Sequence, residues 1–134
     1  LRERFGGHIR PGPIVFTGFS LGAILGARML QDPELGIGAA VLTEGGYAGW
    51  TSAKAKAAAS SLSTVLFACG QTDCRNKVHQ SLPIFEKAGL KVTLVAEVKA
   101  GHTYDGPVAA AIQAEWPALL RRLEEGVPIP TPQR

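Results

Sequence analysis

The sequence predicts an α/β fold, a mostly parallel sheet of about four strands flanked by helices. Three observations carry this expectation. Apolar runs of strand length at 14–17, 37–42, 64–68 and 92–98 alternate with stretches whose apolar residues recur at helical spacing. One run, Ile37 to Leu42, has no polar residue at all, as suits a parallel strand buried on both faces. The stretch Pro13-Ile14-Val15-Phe16-Thr17-Gly18-Phe19-Ser20-Leu21-Gly22-Ala23 is an apolar run that ends in Gly-x-Ser-x-Gly and passes directly into a helical pattern. Its physical reading is a buried strand, a very tight turn and a helix.

In chain order, residues 1–9 read as the tail of a helix stopped by Gly6-Gly7, with His8 a solvated histidine in the connector. Residues 1–12 therefore lead up to a domain spanning 13–125. Arg10-Pro11-Gly12-Pro13 turns into the first strand, Ile14 to Thr17. A turn as tight as the next one strains its apex residue, Ser20, and asks for small neighbours at Gly18 and Gly22. The helix that follows sets Leu21, Ile24, Leu25 and Met29 near one face and stops at Gln31-Asp32-Pro33. Gly22 and Gly26, one turn apart, let it pack close to the sheet.

The second strand opens into Thr43-Glu44-Gly45-Gly46-Tyr47-Ala48-Gly49-Trp50. Loops at the carboxyl ends of parallel strands line the ligand crevice. Tyr47 and Trp50 either wall a substrate pocket or pack against a neighbouring helix. Ser52 to Ser61 is a solvated helix or loop. The third strand, Thr64 to Ala68, leads into Cys69-Gly70-Gln71-Thr72-Asp73-Cys74. A helix then runs from about Asn76 to Ala88, with Val78, Leu82 and Phe85 on one face, Gly89 as its stop and Pro83 as a kink or break. His79 falls on its polar side. The fourth strand, Val92 to Val98, leads to Gly101-His102-Thr103-Tyr104 and to a final helix capped by Asp105 and kinked at Pro117. Residues 126–134 read as a Pro-rich mobile tail.

Composition narrows the function classes. With 46% hydrophobic and 19% charged residues in 134, the chain has ample material for a core. Its net charge of +3 comes from scattered Lys and Arg, which excludes a phosphate-tracking stripe and makes nucleic acid an unsuitable partner. No apolar stretch reaches transmembrane length and no signal peptide is visible, so no membrane partner is expected. No metal-ligand spacing occurs and no cofactor is expected.

Chemistry concentrates at one edge of the expected sheet. Ser20, Asp73 and His102 each follow a different strand at its carboxyl end, in the order Ser…Asp…His. A hydroxyl, an imidazole to take its proton and a carboxylate to orient the imidazole make up what nucleophilic catalysis requires. With 16 glycines in the chain, Gly-x-Ser-x-Gly alone is a weak signal; its strand-before, helix-after context strengthens it. For the carboxylate, Asp73 is favoured over Glu44, which also follows a strand. Asp105 reads better as a helix cap.

From Pro13 to about Leu123 the chain resembles the C-terminal half of an α/β-hydrolase. It is most similar to the compact, nearly lidless serine esterases of the dienelactone-hydrolase and polyhydroxyalkanoate-depolymerase type. The resemblance rests on Gly18-Phe19-Ser20-Leu21-Gly22, on Gly70-x-x-Asp73 and on Gly101-His102-Thr103-Tyr104. It implies Ser20 as nucleophile, His102 as general base and acid, Asp73 as the orienting carboxylate and the Leu21 N–H as an oxyanion donor. Phe19, Tyr47, Trp50 and Tyr104 would line the pocket for a small or polymeric ester. A peptidase or acyltransferase with the same triad, or a truncated non-catalytic module, are the competing functions. In that family a second oxyanion donor and further strands precede the serine strand. The sequence is therefore expected to be part of a longer hydrolase, with self-association through the exposed sheet edge a lesser alternative.

Cys69 and Cys74 flank the acid loop. They form either a disulfide that rigidifies it, implying a secreted or periplasmic protein, or two reduced thiols of a cytoplasmic one. The disulfide is the favoured reading.

Overall fold

The computed structural model describes residues 3–6, 8 and 12–126. Of the expected lead-in at 1–12, residues 3–6 form a turn, and most of the remainder lies outside the described residues, as does the expected tail at 127–134. Strands and helices alternate: β1 (Ile14–Phe19), α1 (Leu21–Met29), β2 (Ile37–Thr43), α2 (Ser52–Ala58), β3 (Thr64–Cys69), α3 (Thr72–Lys87), β4 (Lys91–Ala96) and α4 (Gly106–Glu125). A single 3-10 turn, Pro33–Leu35, precedes β2. The sheet runs in the order β1-β2-β3-β4 with every pairing parallel, so each crossover leads to the adjacent strand. This is the α/β class that the alternating pattern predicts.

Alternation of side chains along the inner strands divides the core into two layers. Ala40, Leu42, Val65 and Phe67 face α1, α2 and α3, where they meet Ala23, Ala27, Leu30, Ala55, Ala58, Val78 and Phe85. Ala39, Val41 and Leu66 face the opposite way, against Leu119 and Leu123 of α4. Every residue of β2 and β3 is buried, which accounts for their lack of exposed polar positions. Phe85 anchors the larger layer, its ring 5.0 Å from Trp50 and 5.7 Å from Phe67. Phe85→Ala would cost about 3–5 kcal/mol, the range for emptying a packed aromatic site.

Several elements depart from expectation for identifiable reasons. The apolar face of α1 points outward: Leu21, Ile24, Leu25 and Met29 are 64%, 46%, 49% and 44% exposed. The helix packs instead through Ala23, Gly26 and Ala27. A β-carbon on Gly26 would lie 2.1 Å from the Phe16 ring, so close approach to β1 selects the small face. Gly22, by contrast, has open space at its β-carbon position, and the tight place of the motif is Gly18, where a β-carbon would lie 2.8 Å from the Gly22 backbone. The stretch after Trp50 is not merely solvated, since α2 buries Ala55 and Ala58 completely. Helix α3 is not split at Pro83 but continues through it as a single element. Among the described residues no helix is long and apolar enough to cross a membrane.

Candidate active site

One residue separates β1 from α1. Ser20 stands there with φ 53° and ψ −117°. A left-handed φ at a non-glycine residue costs of order 1–3 kcal/mol and persists only where its surroundings impose it. Here they do. The Ser20 N–H donates to the Thr43 carbonyl at 2.9 Å, and the Ser20 carbonyl accepts from the Ile24 N–H at 3.0 Å. A serine before a helix ordinarily turns its hydroxyl onto the first-turn amides. This one makes no such cap. Its Oγ instead lies 2.9 Å from His102 Nε2. The Leu21 N–H, first in α1, stands beside it at the positive end of the helix.

His102 is presented by the loop after β4. The Gly101 N–H donates to the Gly70 carbonyl at 2.8 Å, and the Thr103 N–H donates to the Gly101 carbonyl at 2.9 Å. The imidazole packs beside Phe19, with ring centroids 5.0 Å apart, and Tyr104 meets Phe19 edge-on, also at 5.0 Å. Asp105 caps α4 as expected, accepting from the Gly106 N–H at 2.8 Å.

The carboxylate that faces His102 is Glu44, and the expectation for Asp73 is corrected. Glu44 follows β2 directly, has φ 53° and leaves its side chain only 2% exposed. One oxygen, Oε1, accepts from the Gly70 N–H. The other, Oε2, is 3.6 Å from His102 Nδ1. That distance is long for a hydrogen bond but within ion-pair reach, and such contacts commonly tighten only when substrate is bound. Asp73 was expected in a loop, with the next helix beginning near Asn76. Instead α3 begins at Thr72, so Asp73 is a first-turn helical residue. Its side chain is 72% exposed and pairs with Lys77 at 2.7 Å, one helical turn on. That pair raises the Lys77 pKa above its ordinary value, first through the hydrogen bond that the Lys77 ammonium donates to Asp73 and second through the Asp73 charge.

Glu44 had a signature in its neighbours. A β-carbon on Gly45 would lie 2.7 Å from the Ser20 carbonyl, and one on Gly46 would lie 2.8 Å from the Ala23 carbonyl. Glu44-Gly45-Gly46 is thus pressed against the turn that carries Ser20. Two glycines directly after an acid at a strand end mark a loop that needs close backbone approach.

The four aromatic pocket expectations divide. Phe19 and Tyr104 line a groove of about 390 Å³ that also takes in Val41, Ile112 and Trp116, between the open face of β1–β2 and α4. Trp50 is core instead: it is 7% exposed, meets Phe85 edge-on and donates its indole N–H to the Gly46 carbonyl at 2.7 Å. Tyr47 lines a different cavity of about 270 Å³ with Ile24 and Lys77. Cys69 and Cys74 are joined in a disulfide. Among the described residues no group of three or more His, Cys, Asp and Glu side chains could hold a metal ion.

Comparison with protein-family models, with curated proteins and with solved structures returns no match for the chain.

Proposed function

We propose that the protein is a serine hydrolase of the α/β-hydrolase type, cleaving a carboxylic ester through an acyl-enzyme. Ser20 is its nucleophile, His102 its general base and acid, and Glu44 the carboxylate that orients His102. The observation that carries this reading is the line Ser20 Oγ–His102 Nε2–Nδ1–Glu44 Oε2, with spacings of 2.9 Å and 3.6 Å. Its two ends are the only described non-glycine residues with positive φ, so backbone strain is placed at the nucleophile and at the acid. Strain of that kind clusters at working sites.

In the proposed cycle, His102 Nε2 takes the Ser20 proton as Oγ attacks the ester carbonyl. The developing oxyanion draws on the Leu21 N–H at the N-terminus of α1. The imidazolium is stabilised by the buried Glu44 carboxylate, and it then protonates the departing alcohol oxygen. Water attacks the acyl-enzyme with His102 again as base, and collapse releases the acid and restores Ser20. The His102 side chain is half exposed, which gives water direct access to that second step. The apolar groove at Phe19 and Tyr104 suits an alkyl or aryl group on the ester rather than a charged one.

Turnover of a p-nitrophenyl ester by the protein and by Ser20→Ala tests the reading. Loss of the nucleophile should lower kcat by about 10⁶-fold, the scale seen when a triad serine is removed. Peptide mass spectrometry of the wild type quenched during turnover should show the acyl adduct on the Ser20 peptide. Equal turnover by Ser20→Ala would overturn the assignment.

A further inference from the structure

Gly70 touches both halves of the site that bear on His102. It sits between the end of β3 at Cys69 and the start of α3 at Thr72. Its N–H donates to Glu44 Oε1, and its carbonyl accepts from the Gly101 N–H at 2.8 Å, one residue before His102. No room remains around it, since a β-carbon there would lie 2.1 Å from the Gly101 carbonyl oxygen. The peptide of Gly70 is therefore the physical link between the carboxylate and the imidazole loop.

Closed over this link is the Cys69–Cys74 disulfide, which ties the last residue of β3 to the first turn of α3. Both cysteines are buried, at 1% and 2% exposure. We propose that this disulfide is a positioning device for the site: by fixing Gly70 it holds the Glu44 carboxylate against His102. Opening it would loosen Glu44 and the Gly101–His102 loop together, while Ser20, held by Thr43 and α1, stays in place. The inference rests on the hydrolase reading for its effect on turnover and on geometry alone for its effect on Gly70.

The test compares the oxidised protein with its reduced form and with Cys69→Ala/Cys74→Ala, each in the wild-type and Glu44→Ala backgrounds. In the reduction, dithiothreitol gives two electrons and two protons to the cystine and closes to its own cyclic disulfide. With the wild-type carboxylate, loss of the disulfide should lower kcat about ten- to a hundredfold, the range for a small misplacement at a reacting centre, with KM little changed. In Glu44→Ala the same loss should lower kcat by a clearly smaller factor than in the wild type, because coupled residues do not add and only the Gly101–His102 loop is left to loosen. An equal fold-loss in both backgrounds, or none in the wild type, would overturn the proposal. A second readout does not depend on turnover: amide exchange at Gly70, followed by NMR. Exchange there should speed up on reduction to the level of Glu44→Ala while Leu66 stays protected. Unchanged protection at Gly70 would overturn the proposal even if the protein proved to have no esterase activity.

Discussion

Glu44 and Asp73 are two carboxylates just past the carboxyl ends of neighbouring parallel strands, and the chain treats them in opposite ways. Glu44 is withdrawn from water, held by a left-handed backbone and given one partner for each oxygen. Asp73 is left in solvent on a helix, paired with a lysine one turn away. The difference follows from what comes next in each segment. After Glu44, two glycines keep the chain in a tight loop against the Ser20 turn. At Asp73 the chain is already helical, and the side chain is left in solvent beside Lys77. A position at a strand end therefore does not by itself make an orienting acid. Burial and a second partner that fixes the carboxylate do, because a buried charge without partners is costly and a solvated one is poorly oriented.

The largest expected effect that would break this comparison is on Glu44 itself. Glu44→Gln should lower kcat for a p-nitrophenyl ester by about 10⁴-fold, as when an orienting triad acid is replaced by its amide. A loss of less than about tenfold would remove Glu44 from the site.

Gly70→Ala comes next. The added methyl must displace the Gly101 carbonyl and with it the mounting of His102. About a hundredfold loss in kcat is expected, the cost of a misplacement near 1 Å. Overpacking should also lower stability by about 1–3 kcal/mol in chemical denaturation. Asp73→Asn should leave kcat within about twofold of wild type, since a surface pair away from the reacting atoms contributes little.

The smallest effect sharpens the Asp73 side of the comparison. Its hydrogen bond raises the Lys77 pKa above the ordinary 10.5, so the pair adds stability below that value and loses it as pH rises through the folded-state pKa. In Asp73→Asn the Lys77 ammonium should titrate closer to 10.5, as read by NMR at Nζ or Cε. An unchanged titration would mean that the pair does not persist in solution.

Much of this architecture was legible in the chain. Continuous apolar runs marked β2 and β3 because both faces of those strands are covered, and Gly18-Phe19-Ser20-Leu21-Gly22 marked the turn because few local structures put a serine between a buried strand and a helix. His102 was legible from its place after the last strand. Which carboxylate faces His102 was not, because choosing between Glu44 and Asp73 depends on where α3 begins, and a helix boundary shifted by four residues moves a side chain from loop to helix. The outward apolar face of α1 was hidden for a related reason: periodicity shows that Leu21, Ile24, Leu25 and Met29 share a face but not which way it turns. Contact of Gly26 with Phe16 decides that, and it is a tertiary fact. Trp50 shows the same limit, since a loop tryptophan reads equally as pocket wall or core until Phe85 is placed beside it.

The most direct test of the central claim is the rate at which a fluorophosphonate probe forms its adduct on Ser20 in the wild type, Asp73→Asn and Glu44→Gln, with His102→Ala as the fully impaired reference. The account predicts that the wild type and Asp73→Asn label at the same rate, and that Glu44→Gln is slowed towards His102→Ala. Slow labelling of Asp73→Asn beside normal labelling of Glu44→Gln would contradict it, and no adduct on Ser20 in any of them would contradict the hydrolase reading as a whole.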